Sequence, residues 1–441
     1  MELSGLLGTS FACDCGRVHA VPVRRFLYER DAVESLPEII RQSEGHSRSA
    51  VVVADVRTWE VCGRKVQDVL TKAGVNAAQV IVPDRRQGGP VCDDITVRPL
   101  VDQLRGVHSD LVVAVGSGVI NDLCKWSAFQ LGVPYLVVAT AASMNGYSSA
   151  NVAPTVAGVK LLIEARPPVA VVAEPSIIEQ SPREMTAAGF GDTIAKHQST
   201  ADWVANHFLF DEYYCGFCAG IVTKLEPLYL DRPENIRDGK REAIRGLFEA
   251  LFWTGMAMTL MGTSAPASGG EHLLSHALDM MAEIRGESHD LHGRQVGIGT
   301  LLSAALYQKV LAIENPVLRS LPPSVDDRFW SVPPVVAAIQ EQYAAKSGRL
   351  ASIQRKIAPP GSWDQLRARL AAEVKSPETI HTWLQRAGAA VSIADIGCSR
   401  ERIRSAILHM HEIRRRFTIV DLAWLTGVLP GQVDHLIDAW L

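Results

Sequence analysis

Continuous apolar runs alternate with longer amphipathic stretches through the first 180 residues, and this alternation constrains the fold more than any other feature. Residues 50–55, 79–83, 110–115, 135–139 and 169–173 read as strands, and 59–73, 94–106 and 119–131 read as the helices between them. A strand buried on one face alternates apolar and polar residues, whereas these runs are apolar throughout. Such strands belong to a parallel sheet covered on both faces by its crossover helices. Ligands of sheets of this kind sit at the carboxyl ends of the strands.

From Ser181 onward helical periods replace the strands, at 182–188, 191–206, 241–260, 270–284, 293–310, 365–373, 380–386, 399–415 and 419–426. The proline-rich segment 314–334 reads as a loop. At 441 residues the chain exceeds one core. The expectation is an α/β domain over 1–180 and an all-helical domain over 181–441, with a small-molecule site in the cleft they leave.

Composition removes several function classes. With 47% hydrophobic and 21% charged residues, neither disorder nor a membrane protein is expected, and no apolar run approaches the roughly 20 residues of a spanning helix. A net charge of −4 gives no case for a nucleic-acid partner; the run Arg414-Arg415-Arg416 reads as a solvated helix face or a local phosphate contact. The N-terminus shows no basic stretch followed by an apolar block, and eight cysteines do not make a disulfide framework, so the cytoplasm is the expected compartment. Cys13 and Cys15, and Cys215 and Cys218, form close pairs without a second pair at zinc-finger distance. They read as thiols rather than as a site.

Two turns carry the case for a nucleotide. Gly116-Ser117-Gly118 follows a strand and opens a helix containing Asn121 and Asp122, where glycines admit close approach and free N–H groups meet a pyrophosphate. The full GxGxxG pattern is absent, and an ordinary strand–helix turn reads the same way. Thr140 and Ser143 place two hydroxyls after the next strand. Asp55, at the end of the first run, is placed to bind an adenosine ribose and would favour NAD over NADP; an ordinary strand-terminal acid is the alternative.

Asp192 in AAGFGD, His272 in GGEHLLSH and His292 in HDLHGRQVGIG are N/O donors set among small residues. One carboxylate and two imidazoles leave coordination positions open for substrate on zinc, nickel or iron, with zinc the ion most readily retained. His272 and His276 share a helix face, so either could be structural or a ligand. Glu271 reads as solvated or capping; His46, His108, His207 and His381 read as surface or packed residues. Lys196, one turn after Asp192, is a candidate for a substrate phosphate or a snorkelling lysine, with Lys160 and Arg237 weaker candidates of the same kind.

The ordered series CDCGRVH, GSGVINDLCKW, ATAASMNGYSSA, AAGFGDTIAKHQSTADW, GGEHLLSHALD, HGRQVGIGT and EIRRRFTIVDLA resembles the bacterial and archaeal sn-glycerol-1-phosphate dehydrogenases from about Cys13 to Ala423. That family lies within the iron-containing alcohol dehydrogenase, glycerol dehydrogenase and dehydroquinate synthase group. The resemblance implies a Rossmann-like N-terminal domain, a helical C-terminal domain, NAD or NADP, and interconversion of dihydroxyacetone phosphate and sn-glycerol 1-phosphate. It implies Asp192, His272 and His292 as ligands of one divalent ion, and His276 as a residue supporting those ligands or relaying a proton rather than a fourth ligand. The many-helix second domain offers surface for a homodimer, though the sequence does not fix the oligomeric state.

The chain departs from the family's pattern at Asn145, where SMDGY reads SMNGY, at Glu174, where Asp is more usual, and in extra length around 314–365. A side chain at 145 that meets substrate or nicotinamide would change specificity, so another phosphorylated or phosphonylated polyol or aldehyde stays open. A dehydroquinate-synthase-like lyase and a nucleotide- or metal-sensing protein without turnover are the rival readings. The first usually has Glu at the position of Asp192; the second conflicts with a complete ligand trio.

Overall fold

The computed structural model describes residues 3–42, 49–85 and 88–441; His46 lies outside them. Its sheet strands are β1 (Arg25–Tyr28), β2 (Ser49–Asp55), β3 (Asn76–Val82), β4 (Leu111–Gly116), β5 (Tyr135–Ala139) and β6 (Ala170–Ala173). The helices that matter for the site are α1 (Gly118–Leu131), α2 (Arg183–Ile194), α3 (Lys196–Phe210), α4 (Arg241–Met261), α5 (Gly270–Arg285), α6 (His292–Leu311), α7 (Pro333–Ile357) and α8 (Ile419–Leu425). The chain forms two compact units. One comprises Met1–Val156, Leu161–Gly189 and Gly220–Gly262, the other Ala157–Lys160, Phe190–Ala219 and Thr263–Leu441.

The first unit is built on one six-stranded sheet in the order β1-β6-β5-β4-β2-β3, parallel throughout. Every residue of β4, β5 and β6 is buried, which is why these strands read as unbroken apolar runs. Successive side chains point to opposite faces. Ala50, Val52, Ala54, Leu111, Val113, Val115, Leu136, Val138, Ala170 and Val172 therefore share one core with Leu36, Ile40, Val66 and Leu70 of the covering helices. The edge strand β1 was not foreseen; it is short, and its exposure grades from exposed Arg25 to buried Tyr28.

The division is not the single cut expected at residue 180. The chain passes between units inside α2, at Gly189–Phe190, and 220–262 returns to the first unit. Aromatic burial explains the return: α4 sets Phe252 against Phe26 at 4.3 Å between ring centroids and Phe248 against Tyr28 at 5.6 Å. Such side chains each carry a large apolar area and settle where it is covered.

The second unit is helical apart from Val159–Lys160. Asp202 on α3 joins three of its helices, accepting from Gly270 N at 2.7 Å, Ile419 N at 2.7 Å and the Tyr307 hydroxyl at 2.6 Å. Part of the segment read as a proline-rich loop instead starts the 25-residue α7, with a proline in its first turn, where a missing N–H costs nothing. No described helix is long and apolar enough to cross a membrane.

Candidate functional site

Within the second unit, the end of α2 and the helices α5 and α6 bring together the donors expected from the sequence. Asp192 near the end of α2, His272 in the first turn of α5 and His292 at the start of α6 each offer one ligand atom, all within 4.8 Å of one another. Close backbone approach makes this convergence: a Cβ on Gly191 would lie 2.2 Å from Gly293 O, so only glycine lets α2 meet α6 beside the two ligands.

The donor chemistry fits a divalent ion. His272 Nε2 stands 3.4 Å from Asp192 Oδ1, about the edge of a tetrahedron with metal–ligand bonds of roughly 2.0–2.1 Å. The other nitrogens are tied back. His272 Nδ1 pairs with Glu271 Oε1 at 2.9 Å, and His292 Nδ1 with Ser275 Oγ at 2.9 Å. The Ser275 hydroxyl donates to Gln295 Oε1 at 2.8 Å, so its oxygen accepts from His292. In their neutral form both rings carry the proton on Nδ1 and keep the Nε2 lone pair for an ion.

Of the two readings of Glu271 the capping one holds and the solvated one does not: the residue is 0% exposed, and Oε1 also accepts from Gly269 N, ahead of the first turn of α5, at 2.6 Å. Burial works against the Asp192 carboxylate, but its hydrogen bond with His272 and the charges of Lys196, His272 and His292 hold its pKa at about 2. Burial and the neighbouring His272 pull His292 down to about 4. For His272 burial is outweighed by Asp192 and Glu271, which raise its pKa. The site is thus an acid and an imidazole in ligand form, and a second imidazole held between two carboxylates.

His276 lies outside the three-donor group, with its ring 6.2 Å from His272 and 5.7 Å from His292. Arg414 Nη2 donates to its Nδ1 at 2.7 Å, so His276 carries its proton on Nε2. Burial and the Arg414 charge push its pKa well down, leaving it neutral. Burial and the charge of Arg416 lower Arg414 to about 10, with no acid acting to raise it. Arg416 is held by Ser264 Oγ at 3.2 Å and Ser268 O at 2.8 Å. The basic run is therefore not a solvated face, apart from exposed Arg415.

The lysine candidates separate. Lys196 is 2% exposed, which rules out snorkelling; its ammonium donates to Ala267 O at 3.1 Å, and burial lowers its pKa against the charges of Asp192 and Glu271. Lys160 pairs with Asp279 at 3.6 Å. Arg237 is exposed and paired with Asp238 at 2.9 Å, in the first unit. Ser275 and Gln295 escaped the sequence reading, which named Glu271 and Arg414 without linking them to the histidines. Ser275 and Gln295 each lie three residues beyond one of the two candidate ligand histidines, a spacing that could have flagged them.

In the first unit, β4 ends at Gly116 and Ser117, the N-cap residue of α1, makes no side-chain cap, leaving the first-turn N–H groups for an anion. A Cβ on Gly116 would meet Ile120 at 2.7 Å. Asp122 Oδ1 accepts from Asn121 Nδ2 at 2.9 Å, and Thr140 and Ser143 are buried after β5, with Thr140 N on Gly116 O at 3.1 Å. Asp55 sits at the end of β2 with Oδ1 already capping Arg57 N at 2.7 Å and Thr58 N at 2.9 Å. Asn145 opens a short turn, Asn145–Ser148, whose backbone is pinned by the fully buried Lys125: Nζ reaches Gly146 O at 2.6 Å, Asn151 O at 3.0 Å and Ser149 Oγ at 3.1 Å.

Residues 27–182 match the model of the iron-containing alcohol dehydrogenase family. The chain is 31% identical over 412 residues to a glycerol-1-phosphate dehydrogenase [NAD(P)+] of Geobacillus stearothermophilus, covering 92% of this chain and 94% of the relative. A glycerol-1-phosphate dehydrogenase [NAD(P)+] of Thermococcus kodakarensis is 33% identical over 291 residues, covering 66% of this chain and 80% of its own length. Among solved structures, a probable glycerol dehydrogenase from Sinorhizobium meliloti superposes with a TM-score of 0.60 at 15% identity, over 94% of this chain and 96% of that one, which shows a shared fold.

Proposed function

The chain belongs to the glycerol-1-phosphate dehydrogenases, and from that premise we propose that it interconverts dihydroxyacetone phosphate and sn-glycerol 1-phosphate with NAD(H) or NADP(H), holding one divalent ion on Asp192, His272 and His292. The observation that carries this reading is the orientation of the two imidazoles, each tied at Nδ1 and open at Nε2 within reach of Asp192. A divalent ion held by these donors supplies Lewis acidity to a ketone or alcohol oxygen. Zinc suits the donor set, and nickel and iron fit the same ligands.

The chain's own groups do the rest. Glu271 and the Ser275–Gln295 pair hold the ligand rings in register, and Lys196 balances the charges of Asp192 and Glu271. His276, neutral with its proton on Nε2, is the group that passes a proton to or from a substrate oxygen. Arg414 has a planar fork of donors and no acid partner among the described residues, so it is the cation we assign to the substrate phosphate in place of Lys196. The uncapped turn Ser117–Gly118 takes the cofactor's phosphate, with Gly116 allowing the approach and Asp122, Thr140 and Ser143 lining it. Asp55 lies 3.5 Å from Arg57, an environment that discriminates weakly between NAD and NADP.

The test is a substrate panel followed by nicotinamide absorbance, with metal analysis of the same sample. Dihydroxyacetone phosphate with NADH should give net consumption of the reduced cofactor; none would overturn the reading and favour a lyase or a sensor. Arg414→Gln should lose about 10–100-fold in kcat/KM for dihydroxyacetone phosphate, the worth of a charge-assisted pair, and little for unphosphorylated dihydroxyacetone.

A further inference from the structure

We propose that Cys13, Cys15 and His19 form a second metal site, in the first unit, for a thiophilic divalent ion such as zinc. Spacing along the chain argued against a site, because CxC has no second cysteine pair at finger distance. The partner it lacked is a histidine four residues beyond Cys15, which the backbone turns back onto the two thiols.

Ser10–Ala12 pairs antiparallel with Val18–Ala20, placing Phe11 opposite His19 and Ala12 opposite Val18. Between them the chain closes tightly: Cys13 N donates to Arg17 O and Gly16 N to Cys13 O, both at 2.9 Å, and Gly16 takes φ of +84°. One ligand atom from each of Cys13, Cys15 and His19 then lies within 4.8 Å of the other two, and Cys15 Sγ stands 3.3 Å from His19 Nε2. Zinc bonds of about 2.3 Å to sulfur and 2.0–2.1 Å to nitrogen at tetrahedral angles separate the two donors by roughly 3.6 Å, so a few tenths of an ångström complete the geometry.

The environment fits as well. His19 is buried, and the Phe11 ring lies 5.7 Å from its own, which fixes the imidazole; both cysteines are only partly buried, so an ion can enter. Binding releases the two thiol protons, and two thiolates then neutralise a divalent charge. The site shares no residue with Asp192, His272 and His292, and only this one contains sulfur.

Sulfur supplies the readout, whether or not the enzyme turns over. Purified protein should hold two equivalents of metal per chain. Exchanged with cobalt(II), it should show thiolate-to-cobalt charge-transfer absorption in the near ultraviolet. The band should vanish in Cys13→Ser/Cys15→Ser and persist in His272→Ala, and serine replacement of each remaining cysteine would identify a fourth thiolate. One equivalent of metal with no charge-transfer band overturns the proposal, as does a band that survives the double variant. If the double variant does not fold, Cys15→Ser alone and a thiol titration of the unaltered protein decide: two thiols should become reactive on adding chelator, and an unchanged count refutes the site.

Discussion

Adding one methyl group at Gly191 should damage the Asp192–His272–His292 centre without touching a ligand. The new Cβ would stand 2.2 Å from Gly293 O and 3.4 Å from Gly297 Cα. A carbon–oxygen contact tolerates about 3.3 Å, so α2 and α6 must part by roughly 1 Å. Asp192 and His292 are the chain neighbours of the clashing residues and move with them, whereas metal–ligand distances tolerate about 0.2 Å. Alanine's better helix propensity returns roughly 0.5–1 kcal/mol, and overpacking costs about 1–3 kcal/mol, so the net effect is destabilising by about 1–2 kcal/mol. Chelator competition should show metal affinity reduced at least about 10-fold, and thermal unfolding should show the metal-free protein weakened as well. Gly348→Ala is the control, since a Cβ there meets nothing within 4 Å and the substitution should be neutral or slightly stabilising. Metal affinity in Gly191→Ala equal to that of the parent would refute the idea that this helix contact sets the site.

Three further outcomes follow from single contacts. Glu271→Gln keeps an acceptor for His272 Nδ1 but removes the charge, so metal should bind about 10-fold more weakly in a chelator titration; unchanged affinity would leave Glu271 a purely structural acid. Lys125→Met strips the donor from Gly146 O, Ser149 Oγ and Asn151 O beneath the turn at Asn145, and chemical denaturation should report a loss of about 2–4 kcal/mol. Asp395 Oδ2 accepts from Val391 N and Ser392 N at 2.9 Å each, and the Val391 hydrogen bond leads in holding its pKa below 3.8. A depressed acid contributes stability above its unfolded pKa and loses it as pH falls through the folded one. Asp395→Asn should therefore lower the thermal midpoint at neutral pH, and the gap should close in acid; a gap independent of pH would contradict this.

How much of the molecule could be read beforehand depended on whether the cause was local. β2 and β4 to β6 were legible because burial on both faces demands unbroken apolar runs, and the buried faces of α4 to α6 imposed helical periods. β1 escaped because an edge strand of four residues beginning with Arg25 needs little apolar content. α7 was partly hidden behind prolines that look like a loop until Pro333 is seen in a first helical turn. The return of 220–262 to the first unit was unreadable, since nothing in α4 itself says that Phe252 meets Phe26.

The same rule separates the parts of the site. Asp192, His272 and His292 stand out by residue type because few side chains can hold an ion. The groups that aim them do not, because Glu271, Ser275 and Gln295 are ordinary polar residues until the fold shows which nitrogen each one faces. Arg414 makes the point most sharply. In the sequence it is the first of three arginines and reads equally as a solvated face or a local phosphate contact. In the folded unit the run splits, with Arg415 exposed, Arg416 tied to Ser264 and Ser268, and Arg414 turned onto His276 with no acid partner among the described residues. A positive charge drawn from water beside a donor set for a cation is costly unless an anion arrives with the substrate. That imbalance, more than any one contact, is the physical reason to expect a phosphate on the molecule this site accepts.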